Sequence, residues 1–378
     1  MKVSCLLLVF LLAPLPVFAQ ASATPAPTPW YERIRFGGDF RVRYEGFYRK
    51  DSETRNRERL RLRLRVDTEI NDDIRLQLQV ASGDAGTPVS TNQTFKSFFQ
   101  PKPFNLDRAY VAYNAAAAPA LTLGLGKFNA PQTVTQLTFD VDLNFEGGWE
   151  QVAWQPREGL DVNLVAMQTS VNELSSAPDA YMLGGYAEVS MALGQHSLQF
   201  SAANYAWGNE DQIAVASADG PLESILTNSV RRGPAGNVIG YTSQFNVVDV
   251  IAEATIHTGK AAYPLRLLAD FARNTRAATD QNSGLWIEAA YGSPGPTGSW
   301  GAGYTSAWVE QDATPSAFVF SDMPGTNTRL HMIETSYVLK TGMSLDATLH
   351  LTKRLAVERA SDPNNWLLRL HLAAVARF

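Results

Sequence analysis

The most regular pattern in the chain is a two-residue alternation between positions 59 and 66. Arginines occupy the odd positions 59–65, and leucines followed by a valine occupy the even positions 60–66. Successive side chains of a β-strand point to opposite faces, whereas a helix would mix the two sets around its axis. The segment therefore predicts a strand with one apolar face, which needs protein or lipid beside it, and one arginine face, which needs water or anions.

Weaker alternation of the same period recurs along the chain and predicts about sixteen strands. They fall near residues 32–47, 55–70, 74–80, 106–114, 121–125, 147–156, 160–169, 181–193, 197–206, 242–257, 264–274, 283–292, 299–310, 328–339, 343–353 and 365–378. Short turns alternate with long loops, of which the longest are 83–105, 129–146, 207–241 and 311–327. This order is typical of an up-and-down antiparallel barrel with long loops at one rim. The predicted fold class is therefore all-β, a transmembrane β-barrel that forms one domain over residues 32–378.

The start of the chain has the pattern of a secretory signal peptide. Lys2 precedes an uncharged apolar run from Leu6 to Phe18, and Ala19 offers a cleavage point. We therefore predict a signal peptide at 1–19, with cleavage after Ala23 as the alternative, and a disordered Pro/Ala linker at 20–31. The only cysteine, Cys5, lies in the segment predicted to be removed, so the exported chain would have no disulfides.

The last residues place apolar side chains at every second position and end on an aromatic ring. Leu370, Leu372 and Phe378 share this apolar face. The arrangement resembles the assembly signal of bacterial outer-membrane barrels, which implies a contact with the barrel-assembly machinery. Together with the signal peptide, it favours the cell outer membrane over a soluble exported β-sandwich, which the alternation alone would also allow.

Composition and motifs exclude several functions. The formal charge of −5 is too small to indicate nucleic-acid binding. The mean hydropathy of −0.15 does not argue against a membrane barrel, because every second residue of such a strand faces water. The five histidines are not spaced as metal ligands, and no nucleophile motif or phosphate loop occurs. We therefore expect no catalytic site, metal or cofactor, although a membrane-barrel hydrolase without a sequence signature stays open.

The chain resembles the outer-membrane porins of Gram-negative bacteria, and most closely the group called "putative porins", related to phosphate-selective and general diffusion porins. The resemblance rests on Phe36–Tyr44, Arg57–Arg65, Leu106–Tyr110, the acidic loop 129–146 and Phe378. It implies a homotrimer in contact with outer-membrane lipid and lipopolysaccharide. The implied function is passive diffusion of small hydrophilic solutes.

The resemblance also implies that loop 129–146, after the fifth predicted strand, folds into the lumen and narrows it. The acids of this loop are Asp140, Asp142 and Glu146. The facing basic wall, on the first three predicted strands, consists of Arg35, Arg41, Arg43, Arg61, Arg63, Arg65 and Arg75. Opposed charges across a wet gap would orient polar solutes, and the excess of arginine would favour anions.

Two other functions stay open at this point. A substrate-specific channel for an anionic sugar or polymer would need a lumen that is basic throughout, and the acids at positions 249, 253, 270 and 346 weaken this reading. A structural or adhesin barrel with a plugged lumen would need a plug domain, and residues 20–31 are too few to form one.

Aromatic residues near the predicted strand ends are expected to form girdles at the two membrane boundaries, because their amphipathic rings prefer the lipid–water interface. They are Trp149, Trp154, Trp286, Trp300, Trp308, Trp366, Tyr241, Tyr291, Tyr304 and Tyr337.

Overall fold

The computed structural model of the chain describes residues 29–378 except 97, 176, 221 and 358–363. The predicted signal peptide 1–19 and residues 20–28 of the predicted linker lie outside the described residues. The end of the linker enters a short 3₁₀-helix, Trp30–Arg33, and the Trp30 carbonyl accepts a hydrogen bond of 3.2 Å from Thr68 Oγ1. These last linker residues are therefore attached to the fold.

Sixteen long strands dominate the described residues. They are β1 (Arg35–Arg49), β2 (Arg55–Glu69), β3 (Ile74–Ser82), β5 (Phe104–Tyr113), β6 (Leu121–Asn129), β7 (Asn144–Arg157), β8 (Leu160–Asn172), β9 (Ala180–Leu193), β10 (His196–Gly208), β13 (Asn246–Ile256), β14 (Leu265–Asn274), β15 (Ser283–Tyr291), β16 (Trp300–Val309), β17 (Thr328–Lys340), β18 (Met343–Arg354) and β19 (Leu367–Arg377). The short elements are β4 (Gln93–Thr94), β11 (Val230–Arg232), β12 (Val238–Tyr241), the helix α1 (Asp211–Ala218) and a 3₁₀-helix, Glu223–Ile225.

The long strands form a closed antiparallel barrel in which each strand pairs with the next one along the chain. The barrel closes where β1 pairs with β19, with Phe40 opposite Ala376 and Val42 opposite Ala374. At the end of this seam Gly38 N donates to the Phe378 carbonyl at 2.9 Å. β4 adds to β2, and β11 pairs with β12 as a separate hairpin. The predicted sixteen-stranded barrel is confirmed. No helix among the described residues has the length and apolar character needed to cross a membrane.

The register gives the barrel an apolar outside and a charged inside. Phe40 of β1 lies opposite Leu62 of β2 on the outer face, where Phe40 is 42% exposed. On the inner face of the same strand Arg43 is 5% exposed and Glu45 is fully buried. A water-soluble protein has the opposite arrangement. The outer face therefore suits lipid, and the inner face carries the polar chemistry.

Two long loops fold into this interior. The first inserted loop, 130–143, buries Leu137 and Phe139, and the Phe139 ring packs edge-on against Tyr205 at 4.9 Å. The second inserted loop, 310–327, stacks Phe318 on Trp207 at 5.2 Å. Insertion of the first loop confirms the sequence expectation. Insertion of the second was not predicted.

The predicted aromatic girdles need three corrections. Trp149, Trp286 and Tyr241 are 6%, 0% and 2% exposed, so they are interior residues. Trp149 packs against Phe128 inside the barrel at 4.4 Å, and Trp286 packs edge-on against Phe320 of the second inserted loop. The remaining rings, such as Trp300 and Trp308, are 36–47% exposed on the outer face, as a girdle requires.

Candidate functional site

An arginine wall covers the inner face of β1, β2 and β19. Its members are Arg41, Arg43, Arg57, Arg59, Arg61, Arg63 and Arg369. The register of β1 with β2 sets Arg41 opposite Arg61, and Arg43 opposite Arg59. The alternation in the sequence thus becomes a two-dimensional array of guanidinium groups. Such an array needs anions or carboxylates beside it, because neighbouring positive charges repel.

Two acids of β1 sit inside the wall. Glu45 is fully buried, and its carboxylate contacts Arg57 at 2.6 Å, Arg369 at 3.1 Å, and also Arg43. The Asp39 carboxylate forms ion pairs with the guanidinium groups of Arg61, at 2.7 Å, and Arg63, at 2.6 Å. A buried carboxylate that loses these partners would be strongly destabilising, so both acids fix the arrangement of the wall. Neither Glu45 nor Asp39 was singled out from the sequence.

The first inserted loop meets the wall through Asp142. Arg63 Nη1 lies 3.1 Å from Asp142 Oδ1, and Thr91 Oγ1 donates to the other carboxylate oxygen at 3.2 Å. The predicted pairing of loop acid and basic wall is therefore present as a contact. It involves Arg63 directly, whereas Arg41 donates to Asn92 of another loop at 2.6 Å.

Asp140 joins the two inserted loops instead of facing the wall. Its carboxylate accepts hydrogen bonds from Ser321 N at 2.6 Å and Asp142 N at 2.7 Å. Burial, together with the neighbouring charge of Asp142, raises the pKa of Asp140 to about 7. The carboxyl is therefore half-protonated near neutrality, and its charge depends on pH in the physiological range.

The second inserted loop supplies a further acid, Asp322, that sequence reasoning missed. Its carboxylate contacts Arg369 at 2.7 Å and Arg43 at 3.3 Å. Although burial acts in the opposite direction, Arg369 and Arg43 hold the pKa of Asp322 well below its usual range. The signal that could have found this loop is the apolar run from Ala317 to Phe320, which is unusual in an exposed loop.

Three predicted wall residues lie away from the contact with Asp142, towards the rim with the short turns. Arg65 pairs with Asp67 at 2.7 Å, Arg35 approaches Glu69 at 3.9 Å, and Arg75 is exposed. All three line a cavity of about 620 Å³. A second cavity, of about 330 Å³, lies beside the 83–91 loop and is lined by Asn144. The arginines thus fall into a packed wall and a separate basic group around the larger cavity.

Glu146 does not belong to the site. The inserted loop ends before Asn144, so Glu146 is a residue of β7, where it pairs with Lys127 of β6 at 2.5 Å. Its neighbour Phe145 points inward and is buried, so the alternation of the strand turns Glu146 outward. The prediction that it projects from the loop toward the arginines is wrong for this reason.

The far wall of the barrel holds the first inserted loop in place. Thr138 Oγ1 donates to Asp249 of β13 at 2.5 Å, and Thr135 Oγ1 donates to Asp270 of β14. Both acids are almost completely buried. They were read from the sequence as lumen acids, and the structure gives them the threonine hydroxyls of the loop as partners.

One group of side chains has the composition of a metal site. Nitrogen and oxygen atoms of Asp322, His350 and His371 lie within 4.8 Å of one another. However, the Asp322 carboxylate is already held by Arg43 and Arg369. A divalent cation placed there would face two guanidinium groups at short range, so the donor set does not fit a metal ion.

Comparison with known proteins finds a similarity to porins. The family described as "Putative porin" matches residues 47–217. The match covers less than half of the 378 residues, so it shows a similarity to putative porins over that region. The barrel of this chain is similar to that of Pseudomonas putida OprB, with 12% sequence identity, a TM-score of 0.60, and coverage of 92% of this chain and 95% of that one. A search of curated protein sequences finds no match.

Two further solved structures share the fold of this chain. Salmonella typhi OmpF has 10% identity and a TM-score of 0.55, with 91% of this chain and 97% of that one covered. The outer-membrane channel DcaP of Acinetobacter baumannii has 12% identity, a TM-score of 0.51 and the same coverage. All three solved structures share the closed β-barrel fold with this chain, and the family match adds a similarity to putative porins over residues 47–217.

Proposed function

We propose that the protein is an outer-membrane porin, a passive diffusion channel for small hydrophilic solutes with a preference for anions. The observation that carries this proposal is the composition of the wall. Seven arginines face four carboxylates, those of Asp39, Glu45, Asp142 and Asp322. An excess of about three positive charges beside a wet passage attracts anions and repels cations.

The contact between Arg63 and Asp142 supports a transverse field across the passage. Basic groups project from the barrel and an acidic group projects from the loop, so a polar solute between them would be oriented by both. The larger cavity extends the basic surface toward the periplasm through Arg35, Arg65 and Arg75. On the opposite side Glu253 and Glu288 share Arg266, at 2.9 Å and 2.8 Å. The periplasmic part of the lumen therefore has one basic and one mainly acidic side.

Reversal potentials in planar bilayers with unequal KCl concentrations test the anion preference. The double variant Arg61→Glu and Arg63→Glu turns the excess of about three positive charges into an excess of about one negative charge. We expect the reversal potential to move from the anion side to the cation side. Arg157→Glu makes the same chemical change at an exposed position at the end of β7 and should leave the potential nearly unchanged. A wild-type channel that prefers cations would contradict the proposal, as would a double variant with an unchanged potential.

A second candidate is a substrate-specific channel for an anionic sugar or polymer. The continuity of basic groups from the wall to the larger cavity favours it, whereas Glu253 and Glu288 on the opposite side oppose it. Block of the ionic current separates the two functions. A uronic-acid oligosaccharide that blocks the current at micromolar concentration, while a neutral oligosaccharide of equal size does not, would favour the specific channel. Passive diffusion predicts no block at that concentration by either compound.

The assembly of the porin is proposed by analogy with its fold. The exposed rings and side chains of the outer face, including Leu372 and Phe378, suit contact with lipid, with lipopolysaccharide at the outer rim, and with the barrel-assembly machinery along β19. Leu370 lies on the same outward row of β19. A homotrimer is the proposed oligomer. Delayed insertion of a Phe378→Ser variant into membranes, with unchanged insertion of Phe36→Ser at the same seam, would support recognition of β19.

A further inference from the structure

A group of polar side chains interrupts the lipid-facing surface of β6, β7 and β8. Lys127 of β6 pairs with Glu146 of β7, and Gln168 of β8 donates to Glu150 of β7 at 3.0 Å. The register sets Lys127 opposite Glu146, and Gly148 opposite Gln168. Trp149, between these outward positions, points into the barrel and is buried. We call the four outward polar residues Lys127, Glu146, Glu150 and Gln168 the polar seam.

Glu150 lies deep within the membrane-facing band. The girdle residue Trp154 is four positions closer to the periplasmic end of the same outward row. At a strand tilt near 40° each residue rises roughly 2.6 Å along the barrel axis, so Glu150 lies about 10 Å inside an apolar band that is about 25 Å tall. Glu150 is six residues from the nearer end of β7. Among the described residues, all remaining charged side chains on the outer face lie within four residues of a strand end.

Lipid cannot satisfy this carboxylate. Acyl chains offer no hydrogen-bond donors, and a charged group exposed to them is costly in proportion to its depth. The structure gives Glu150 one hydrogen bond, from Gln168, although a carboxylate can accept about four. A covering surface that supplies further donors would remove the cost.

The surroundings of the seam are flat enough for a second barrel to approach. Gly148, Ala166, Gly185 and Ala187 occupy neighbouring outward positions on β7, β8 and β9. A Cβ atom built on Gly185 would meet nothing within 4 Å. Small side chains of this kind let two backbones approach closely in a membrane.

We propose that a second copy of this chain packs against the polar seam. The seam contains both donors, Lys127 and Gln168, and acceptors, Glu146 and Glu150, so the same surface on another copy can supply the bonds that each copy lacks. This inference rests on the oligomer proposed above and assigns its contact to β6–β9. It does not depend on the solute or on the charge preference of the channel.

Two variants and one control test the assignment. Glu150→Leu removes the carboxylate, and Gly185→Leu adds bulk that the single barrel accommodates but a close partner cannot. Ala252→Leu places the same side chain on the outer face of β13, away from the seam. Light scattering in mild detergent and cross-linking in intact outer membranes measure the oligomer. Heat modifiability of the folded barrel confirms that each variant has folded, and planar-bilayer conductance is recorded in parallel.

We expect Glu150→Leu and Gly185→Leu each to raise the dissociation constant of the oligomer at least tenfold, while Ala252→Leu leaves it unchanged. A wild-type protein that is monomeric in both detergent and membranes would overturn the inference. So would variants that keep the wild-type oligomer, or a Glu150 covered by a different protein in the cross-linked material. Absence of channel activity in an intact oligomer would contradict only the proposed function, so the two failures are distinguishable.

Discussion

Removal of the two threonine hydroxyls that hold the first inserted loop should release the loop from the barrel wall. In the structure Thr138 donates to Asp249 at 2.5 Å, and Thr135 donates to Asp270. Both acceptors are almost fully buried, so the double variant Thr135→Val and Thr138→Val leaves each carboxylate without a hydroxyl partner. The change keeps the size of each side chain, and it therefore tests the hydrogen bonds rather than the packing.

The magnitude follows from the burial of the acceptors. Leaving a buried hydrogen-bond acceptor without its donor costs about 1–3 kcal/mol. Loss of both hydroxyls therefore weakens the docked position of the loop by about 2–6 kcal/mol. This changes the ratio of docked to displaced loop by a factor on the order of 10 to 10⁴. A displaced loop no longer narrows the lumen, so single-channel current steps should become larger and noisier.

Single-channel recording in planar bilayers measures both quantities. Thr169→Val is the matched control, because Thr169 is a buried inward threonine whose hydroxyl bonds Met182 O of the adjacent strand at 3.2 Å and not the loop. It should leave the current steps and noise at their wild-type values. The reasoning is refuted if the double variant also has wild-type steps and noise, since the hydroxyls would then not hold the loop.

Asp140 and Leu137 provide two further tests of the same loop. The pKa of Asp140 is about 7 in the folded barrel, whereas an unperturbed aspartate has a pKa of 3.8. The folded state therefore binds the proton of Asp140 more tightly than the unfolded state does. The free energy of unfolding therefore falls as the pH rises between these values, by on the order of 2 kcal/mol from about pH 5 to pH 8. Urea unfolding in micelles should show this fall in the free energy of unfolding for the wild type and for Asp280→Asn, a control at an exposed loop position. Asp140→Asn should not show it. Equal pH dependence in all three proteins would contradict the prediction. A Cβ atom added to Gly284 would lie 2.6 Å from Leu137 Cδ1. A Cβ atom added to Gly303 would lie no closer than 3.8 Å to any neighbour, the nearest being Ala290 Cβ. Gly284→Val should thus destabilise the seated loop by about 1–3 kcal/mol and raise the conductance, and an equal effect of Gly303→Val would point to a general barrel defect.

The strands could be predicted from the sequence because their side chains alternate with a period of two. The segment around Arg61 shows this most clearly: its predicted range 55–70 differs from β2 by one residue. Lipid outside and water inside reinforce the same alternation on every strand. The inward position of Arg41, Arg43, Arg61 and Arg63 follows from that alternation, which the register of β1 with β2 confirms.

Features that depend on contacts between distant segments could not be predicted in this way. The partners of Glu45 come from β1, β2 and β19, and Asp322 reaches the wall only because a second loop folds inward. Aromatic rings were ambiguous for the same reason. Trp286 near a strand end can lie in a girdle or beneath an inserted loop, and only the position of Phe320 decides between them.

The pairing of β1 with β19, which closes the barrel, has a consequence for biogenesis. Asp39 lies opposite Arg377, so the pairing that completes the cylinder joins segments from the two extremes of the chain. Until β19 arrives, the sheet has two unpaired borders that can join to other chains. Closure must also be slow relative to the formation of local hairpins, because it brings together the most distant partners in the molecule. Translation that stops before β19 should therefore yield aggregates rather than a smaller working pore.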